Sequence, residues 1–293
     1  MSDARTAPFG ERLAAAMAEH GPLCVGIDPH ASLLDAWGLP DDAAGLRRFA
    51  LTVMDAVAGR VAAVKPQSAF FERHGSRGLA VLEEVVAAGR ETGTLVVVDA
   101  KRGDIGSTMG AYADAFLRDG SPLAGDALTV SPYLGFGSLA PAVDLALATG
   151  RGLFVLCLTS NPEGREVQHA RPDAVAGGGE GAGGSVAAVM AAHAAALNAG
   201  ASPMGSVGLV VGATVGDAAL RTGTDLTAVN GPLLAPGVGA QGAGADELRA
   251  VFGDARHQVL ASSSRGVLQA GPSVPGLRAA ALTAAREAAA ALR

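Results

Sequence analysis

The stretch VVVDAKRGDIGSTM, residues 96–109, places four charged side chains directly after a run of valines. The valines predict a strand that is buried on both faces. Asp99 and Lys101 are two residues apart, so in a strand their side chains point to the same side. Asp104 follows in the predicted turn, and Arg102 has the opposite parity. We therefore expect Asp99, Lys101 and Asp104 to lie together and Arg102 to lie outside the group.

Seven further apolar runs are followed, like this one, by turn residues, and Ala- and Leu-rich stretches with helical spacing separate them. Apolar strands that alternate with helices favour a parallel sheet covered on both faces. Eight such units predict an α/β fold, a closed (β/α)8 TIM barrel, in preference to an open doubly wound sheet. The predicted strands cover residues 23–29, 61–67, 95–104, 127–133, 153–162, 208–214, 232–242 and 258–266.

We find no linker in the chain, and we predict that residues 1–293 form a single domain. One segment, at about residues 161–184, interrupts the pattern because it is rich in glycine and has no apolar face. It is either a disordered insertion without a role or a flap near the active site. Loops that follow barrel strands lie on the catalytic face, which is the reason for the second interpretation.

Charge and hydropathy exclude several classes of partner. A net charge of −6 gives no overall attraction for a nucleic acid, and we expect no such partner. The N-terminus lacks the apolar region of a signal peptide, and no apolar run reaches the roughly 18–20 residues of a membrane span. We therefore expect a cytoplasmic protein. Cys24 and Cys157 lie in apolar runs, which predicts buried, unreactive thiols rather than a disulfide or a nucleophile.

Lysine is rare in this chain: of 22 basic residues only Lys65 and Lys101 are lysines. Arginine stays protonated in proteins, whereas lysine can release a proton. Both lysines stand at or near the end of a predicted strand, as Asp28 does, and active sites of barrels lie at that end. Lys65, Asp99, Lys101 and Asp104 can form an array of alternating charge, which is costly to bury unless every member is paired. We expect this array to be catalytic rather than structural.

The last two predicted strands run into PGVGAQG (236–242) and SSSRG (262–266). Loops at these places in a barrel often bind phosphate through backbone N–H groups. Arg265 can bind two phosphate oxygens at once, and Gln241 can reach the same anion. The two motifs predict a phosphorylated small-molecule substrate, and the alternative for Arg265 is an exposed surface charge.

A metal site is not predicted. The six histidines are scattered, without an H-x-x-x-H pair or a cysteine partner. Asp99 and Asp104 could hold Mg²⁺, but Lys101 between them would compete with the cation. His30 follows the first strand and could line the rim, and we expect it to be solvated in a loop.

Taken in chain order, these motifs resemble the orotidine 5′-monophosphate decarboxylase family, and within it the longer bacterial branch (type 2). The resemblance rests on D-x-K-x-x-D-I at residues 99–105, continued by GST to Thr108, and it extends over about residues 20–270. The supporting motifs are VGIDP around Asp28, AVKPQ around Lys65, LTSNP around Ser160, VVGAT at 210–214, PGVGAQG around Gln241 and SSSRG around Arg265.

The resemblance implies a carbon–carbon lyase that converts orotidine 5′-monophosphate to UMP and CO₂ in de novo pyrimidine biosynthesis without a cofactor. Lys101 would protonate C6 of the pyrimidine as CO₂ leaves, and Asp99 would lie against the substrate carboxylate. Asp28 and Lys65 would hold ribose hydroxyls. Ser160 would contact the pyrimidine amide, with Thr159 as the alternative.

The resemblance also implies a phosphate site and a partner subunit. Gln241 and Arg265, with Gly266 beside it, would bind the 5′-phosphate. Asp104, Ile105 and Thr108 would reach into the site of a second subunit, which implies a twofold homodimer.

Two other functions stay open at this point. Sugar-phosphate decarboxylases and aldol-type synthases share the D-x-K-x-x-D pattern but use Mg²⁺, and they typically need an acidic ligand where this chain has Lys65. A non-catalytic barrel that binds a phosphorylated ligand is the second alternative, although a binding protein needs no proton donor.

Overall fold

Eight parallel strands close into a barrel, because each strand pairs with its neighbours in sequence and the last pairs with the first. The structure is a computed structural model that describes residues 7–172, 184–239 and 242–293. The predicted (β/α)8 barrel is confirmed, and every predicted run overlaps one strand, with β5 and β6 each beginning one residue earlier than predicted. The strands are β1 (Leu23–Ile27), β2 (Ala63–Pro66), β3 (Leu95–Arg102), β4 (Ala127–Val130), β5 (Gly152–Leu158), β6 (Val207–Val211), β7 (Leu233–Pro236) and β8 (Val259–Ser263).

Helices cover the outside of the barrel, and several begin or end at residues suited to that place. The Asp42 carboxylate accepts two backbone N–H groups at the start of the third helix, and Gly93 ends the fifth with a left-handed φ of +70°. The helices are α1 (Phe9–His20), α2 (Ala31–Ala36), α3 (Ala43–Val57), α4 (Ser68–Glu72), α5 (Gly75–Thr92), α6 (Gly106–Leu117), α7 (Ala140–Ala148), α8 (Arg165–Gln168), α9 (Val186–Leu197), α10 (Ala218–Thr222), α11 (Ala245–Phe252), α12 (Arg265–Leu268) and α13 (Val274–Ala291).

Apolar side chains fill the barrel from its N-terminal end. Phe9 and Leu13 of α1 are fully buried there, and the Phe9 ring meets the Phe154 ring edge-on with 5.9 Å between centroids. A second and larger apolar layer lies between the strands and the surrounding helices. The interior is therefore closed at one end, and polar side chains can enter it only from the other.

The glycine-rich segment is more ordered at its start than we expected. Residues 161–172 form a 3₁₀ turn (Pro162–Gly164) and helix α8, where we predicted a loop. The reason is a side chain: Gln168 accepts the Thr159 N–H at 2.9 Å and donates to its hydroxyl at 2.7 Å, which folds the segment back on β5. Residues 173–183, to which the rest of the loop prediction applies, lie outside the described residues.

Both cysteines are buried and form no disulfide, as predicted. Burial raises the pKa of each thiol to about 12, so neither is a nucleophile at neutral pH. In the parts of the chain that the structure describes, no helix has the length and apolar character that crossing a membrane requires.

Candidate active site

A cavity of about 400 Å³ opens at the C-terminal ends of the strands. Residues from seven of the eight strands, or from the loops that follow them, contribute to its wall. Charged side chains lie on the side of β1 to β3, and serines and glycines lie on the side of β7 and β8. The lining residues used below are Asp28, His30, Lys65, Gln67, Asp99, Lys101, Thr159, Ser160, Ser264, Arg265 and Gly266.

Asp99 is the centre of the charged side. Its Oδ2 accepts the Lys65 ammonium at 2.8 Å, and its Oδ1 accepts the Lys101 ammonium at 2.5 Å and the Thr129 hydroxyl at 2.8 Å. Desolvation opposes the ionised form of this buried carboxyl, but Lys65 and Lys101 outweigh it and lower the pKa of Asp99 to about 2. Asp99 is therefore a fixed negative charge at neutral pH.

Lys65 is buried, with its ammonium between two carboxylates. The Lys65 Nζ lies 2.8 Å from the Asp99 Oδ2 and 4.0 Å from the Asp28 Oδ1. Desolvation alone would lower the pKa of Lys65, but Asp99 and Asp28 outweigh it and raise that pKa above its ordinary value. Asp28 Oδ1 is itself buried and has no hydrogen-bond partner among the described residues, so it is available to a ligand hydroxyl.

Asp99 and Lys101 lie together, but strand alternation is not the reason. The register between β3 and β4 shifts between Val98 and Arg102, and Lys101 has a left-handed φ of +47°. A bulge of this kind turns a side chain in a new direction. The predicted proximity of the pair is therefore confirmed, while its predicted cause, the two-residue repeat, is wrong.

Arg102 lies outside the group, as expected. Its guanidinium pairs with Glu72 of α4 and lies 5.5 Å from the ring centroids of both Tyr112 and Phe116. Of the four charged side chains in the opening motif, Asp99 and Lys101 line the cavity. Arg102 instead ties the end of β3 to α4 and α6.

Asp104 does not join the array within this chain. Its Oδ1 accepts the N–H of Ile105 at 2.8 Å, and no ion pair links it to Lys101 in the described part of the chain. Ile105 is 62% exposed, and Thr108 is exposed on the first turns of α6. These three residues do not line the cavity of their own chain. The structure therefore brings together three members of the predicted tetrad, and Asp104, which is half-buried, lies outside their cavity.

Thr159 and Ser160 both line the cavity where β5 ends. The Thr159 hydroxyl is occupied by Gln168 and by Asn161, to whose Oδ1 it donates at 2.6 Å. The Ser160 hydroxyl forms no hydrogen bond with any residue that the structure describes. Ser160 is thus the better placed of the two to bind a ligand.

The opposite side of the cavity is suited to an anion. Arg265 begins α12, is exposed at the cavity rim and has no carboxylate partner among the described residues, and Gly266 lies beside it. Ser264 packs against β1 at Gly26, where a Cβ would collide with the serine hydroxyl. Gln241, the other predicted phosphate ligand, lies outside the described residues.

Comparison with known proteins identifies the family. A family model described as the orotidine 5′-phosphate decarboxylase / HUMPS family matches residues 21–280. The chain belongs to this family. Among its curated relatives, the orotidine 5′-phosphate decarboxylase of Streptomyces coelicolor is 64% identical over 274 residues, covering 94% of each chain. That of Salinispora arenicola is 62% identical over 273 residues, covering 93% of this chain and 94% of the other.

Solved structures agree with this membership of the decarboxylase family. A Streptomyces avermitilis crystal structure superposes with a TM-score of 0.92 at 60% identity, covering 100% of this chain and 99% of that one. The OMP decarboxylase of Leishmania donovani superposes with a TM-score of 0.71 at 31% identity, covering 97% and 98% of the two chains.

Two polar residues of this decarboxylase-family site were not predicted, and a third, His30, was named only as a residue that could line the rim. Gln67 lines the cavity and donates from Nε2 to the Asp99 carbonyl at 3.1 Å. Thr129 contacts Asp99 from the neighbouring strand. His30 lines the cavity with its ring edge-on to Phe70, where we expected a solvated loop residue. Gln67 stands in the quoted AVKPQ motif, so its place after a strand was a usable signal, whereas Thr129 lies within an ordinary apolar strand.

No group of three or more His, Cys, Asp or Glu side chains is arranged to hold a metal ion within the described ranges. A larger cavity of about 870 Å³ borders α13, but alanine and glycine dominate its wall, and Glu287 is the one charged residue among the described residues that line it. The smaller, charged cavity is therefore the candidate active site.

Proposed function

We propose that this protein decarboxylates orotidine 5′-monophosphate to UMP and CO₂ in pyrimidine biosynthesis, without a cofactor. The observation that carries the proposal is the Lys65–Asp99–Lys101 cluster in a cavity whose far side presents Arg265. Membership of the family, with relatives above 60% identity that are named for this activity, supports it.

Lys101 is the proposed proton donor. When the bond between C6 and the carboxylate breaks, its electron pair stays on C6 and CO₂ leaves. An ammonium directed at C6 stabilises the growing negative charge and then transfers a proton to it. Lys101 becomes a neutral amine and recovers a proton from solvent, to which 43% of its side chain is exposed. Arginine could supply the positive charge but not the proton.

Asp99 is proposed to lie against the substrate carboxylate. Its lowered pKa keeps it ionised, so it cannot itself be the acid. Two ammonium groups and a hydroxyl hold it in place before substrate arrives. Repulsion between the two carboxylates is relieved as CO₂ departs, which favours the transition state over the bound substrate.

The remaining contacts hold the nucleotide. The unpartnered Oδ1 of Asp28 and the neighbouring Lys65 ammonium are proposed to bind ribose hydroxyls. The free hydroxyl of Ser160 is proposed to bind the pyrimidine amide. Arg265 and Gly266 are proposed to bind the 5′-phosphate, and Gln241 is assigned to the same anion from the sequence alone. Binding far from C6 orients the ring and supports catalysis through remote binding energy.

Asp104, Ile105 and Thr108 are proposed to enter the site of a partner subunit in a twofold homodimer. Ile105 is a large apolar side chain that is 62% exposed, and Tyr133, 75% exposed, and Leu134, 53% exposed, are further large apolar side chains on the surface. A second copy of the chain would bury these side chains and bring Asp104 to a cavity that it does not line in its own chain. A cytoplasmic location stays a prediction from the sequence.

The decisive experiment follows the ultraviolet absorbance of orotidine 5′-monophosphate in the presence of purified protein. We expect the absorbance to fall and UMP to accumulate, and we expect Lys101→Ala to lose at least about 1,000-fold in kcat because proton and positive charge are removed together. Lys101→Arg, which restores the charge only, should stay far below wild type. We expect the activity to persist in EDTA, whereas the Mg²⁺-dependent sugar-phosphate decarboxylases and aldol-type synthases would lose theirs. Unchanged absorbance at micromolar protein, or near-normal turnover by Lys101→Ala, contradicts the proposal.

A further inference from the structure

The bulge that places Lys101 has a polar partner on the neighbouring strand. Because β3 leaves its register with β4 between Val98 and Arg102, residues 99–101 lie opposite Thr129 alone. A bulge interrupts the regular ladder and leaves backbone groups in need of other partners. The Lys101 N–H finds such a partner in the Thr129 hydroxyl, which accepts it at 2.9 Å.

The same hydroxyl also holds the carboxylate of the cluster. A threonine hydroxyl has one proton to donate and lone pairs to accept. Since its oxygen accepts from Lys101, its proton is directed to Asp99 Oδ1, 2.8 Å away. That oxygen in turn accepts the Lys101 ammonium at 2.5 Å, which closes a ring of three residues. Thr129 is 1% exposed, so solvent has almost no access to replace it.

The backbone of Lys101 needs this support. Its φ of +47° is in the left-handed region, which is unfavourable for a residue with a Cβ. Such a conformation persists only where surrounding contacts hold it. Asp99 is tethered separately through its carbonyl by Gln67. Thr129 thus couples the direction of the Lys101 side chain to the position of the Asp99 carboxylate.

We propose that Thr129 is a positioning residue for the proton transfer, since it fixes Lys101 and Asp99 relative to each other. The inference rests on the proposed decarboxylation. Thr129 does not line the cavity, so its loss should leave the affinity for the nucleotide nearly unchanged and reduce kcat.

The test compares Thr129→Val with Thr129→Ser. Valine keeps the shape but leaves the Lys101 N–H without its acceptor, and we expect kcat to fall about 10- to 100-fold while KM changes less than about threefold. Serine retains the hydroxyl and should recover most of kcat. A second measurement follows the exchange of the C6 proton of UMP in D₂O by NMR. This exchange requires proton transfer between C6 and Lys101 but no loss of CO₂. We expect it to slow in parallel with kcat in the valine variant.

Thr94→Val is the matched control. Thr94 is also buried, and its hydroxyl accepts a backbone N–H from Gly59 at 2.6 Å, but it lies at the other end of β3. We expect it to lower the melting temperature and to leave kcat and the exchange rate as in wild type. Thr129→Ala replaces the valine variant if valine prevents folding.

Wild-type kcat in Thr129→Val, or equal losses in the valine and serine variants, would overturn the positioning role. A wild-type protein that does not decarboxylate the substrate would contradict the proposed function instead, so the two failures are distinguishable.

Discussion

Asp99 accepts hydrogen bonds from Lys65, Lys101 and Thr129 in a place from which water is largely excluded. Each donor favours its ionised form, and together they overcome the desolvation that opposes it. The Asp99 carboxylate is thus already ionised and oriented in the protein without substrate. Its electrostatic effect on the substrate is therefore present before the reaction begins.

The change in the free energy of unfolding at acidic pH should report the ion pairs of Asp99. Because the pKa of Asp99 is lowered to about 2 in the folded protein, its ionisation adds stability that is complete above its ordinary pKa, near 3.8, and disappears as the pH falls towards 2. We expect wild type to be more stable than Asp99→Asn above pH 4, and the difference to shrink by about 2 kcal/mol between pH 4 and pH 2. Urea denaturation at a series of pH values measures it. A difference that does not depend on pH would show that the Asp99 charge is not stabilised by the fold.

At the scale of elements, the amide side chain of Gln168 joins helix α8 to the end of β5. Gln168 of α8 holds Thr159 through both its N–H and its hydroxyl, and Ser160 comes next in the chain. The proposed pyrimidine contact is thus presented by a segment that local hydrogen bonds hold in place. The same contact holds helix α8 against the end of the barrel strand.

Gln168→Ala should therefore weaken substrate binding without removing the chemistry. We expect KM to rise about three- to tenfold, which corresponds to about 1 kcal/mol for a lost hydrogen-bonding pair, and kcat to change less. Steady-state kinetics measure both parameters. Glu166→Ala, an exposed position on the same short helix, is the matched control and should leave both unchanged. A large loss of kcat with unaltered KM in Gln168→Ala would mean that this segment serves the reaction centre instead.

At the scale of the whole molecule, the proposed homodimer makes each site depend on two chains. In the proposed dimer each site takes Lys101 from one chain and Asp104 from the other, so a Lys101 variant and an Asp104 variant that are each inactive alone should complement each other. In a mixture of Lys101→Ala and Asp104→Ala, half of the dimers contain one chain of each kind, and one of their two sites has both native residues. We expect the mixture to recover about a quarter of wild-type activity after subunit exchange.

The complementation is checked by mixing the two purified variants in equal amounts, with gradual removal of a mild denaturant to allow exchange. Lys101→Ala mixed with Lys101→Met provides the control, because no site in that mixture has the lysine. Recovery by the control mixture, or none by the test mixture while ultracentrifugation shows dimers, would contradict the shared site.

Much of the architecture was predictable because it depends on patterns local to the chain. Eight apolar runs with helical stretches between them identified each strand, since a strand that is covered on both faces must be apolar along its length. Because the C-terminal ends of parallel barrel strands meet at one face, the predicted strands also placed Asp28, Lys65 and Asp99 at one rim. The bulge at Lys101 was not predictable, because it depends on the pairing of β3 with β4 and on a threonine 28 residues away.

The barrel and the identity of the charged residues could be read from the chain alone, because hydrophobic periodicity and the rarity of lysine are properties of the sequence. The different positions of the four charged side chains of VVVDAKRGDIGSTM, in contrast, depend on the folded molecule. Asp99 and Lys101 line the cavity, Arg102 pairs with Glu72, and Asp104 is half-buried outside the cavity. Strand register, backbone conformation and ion pairing are set by residues distant in sequence, so a local pattern cannot predict them.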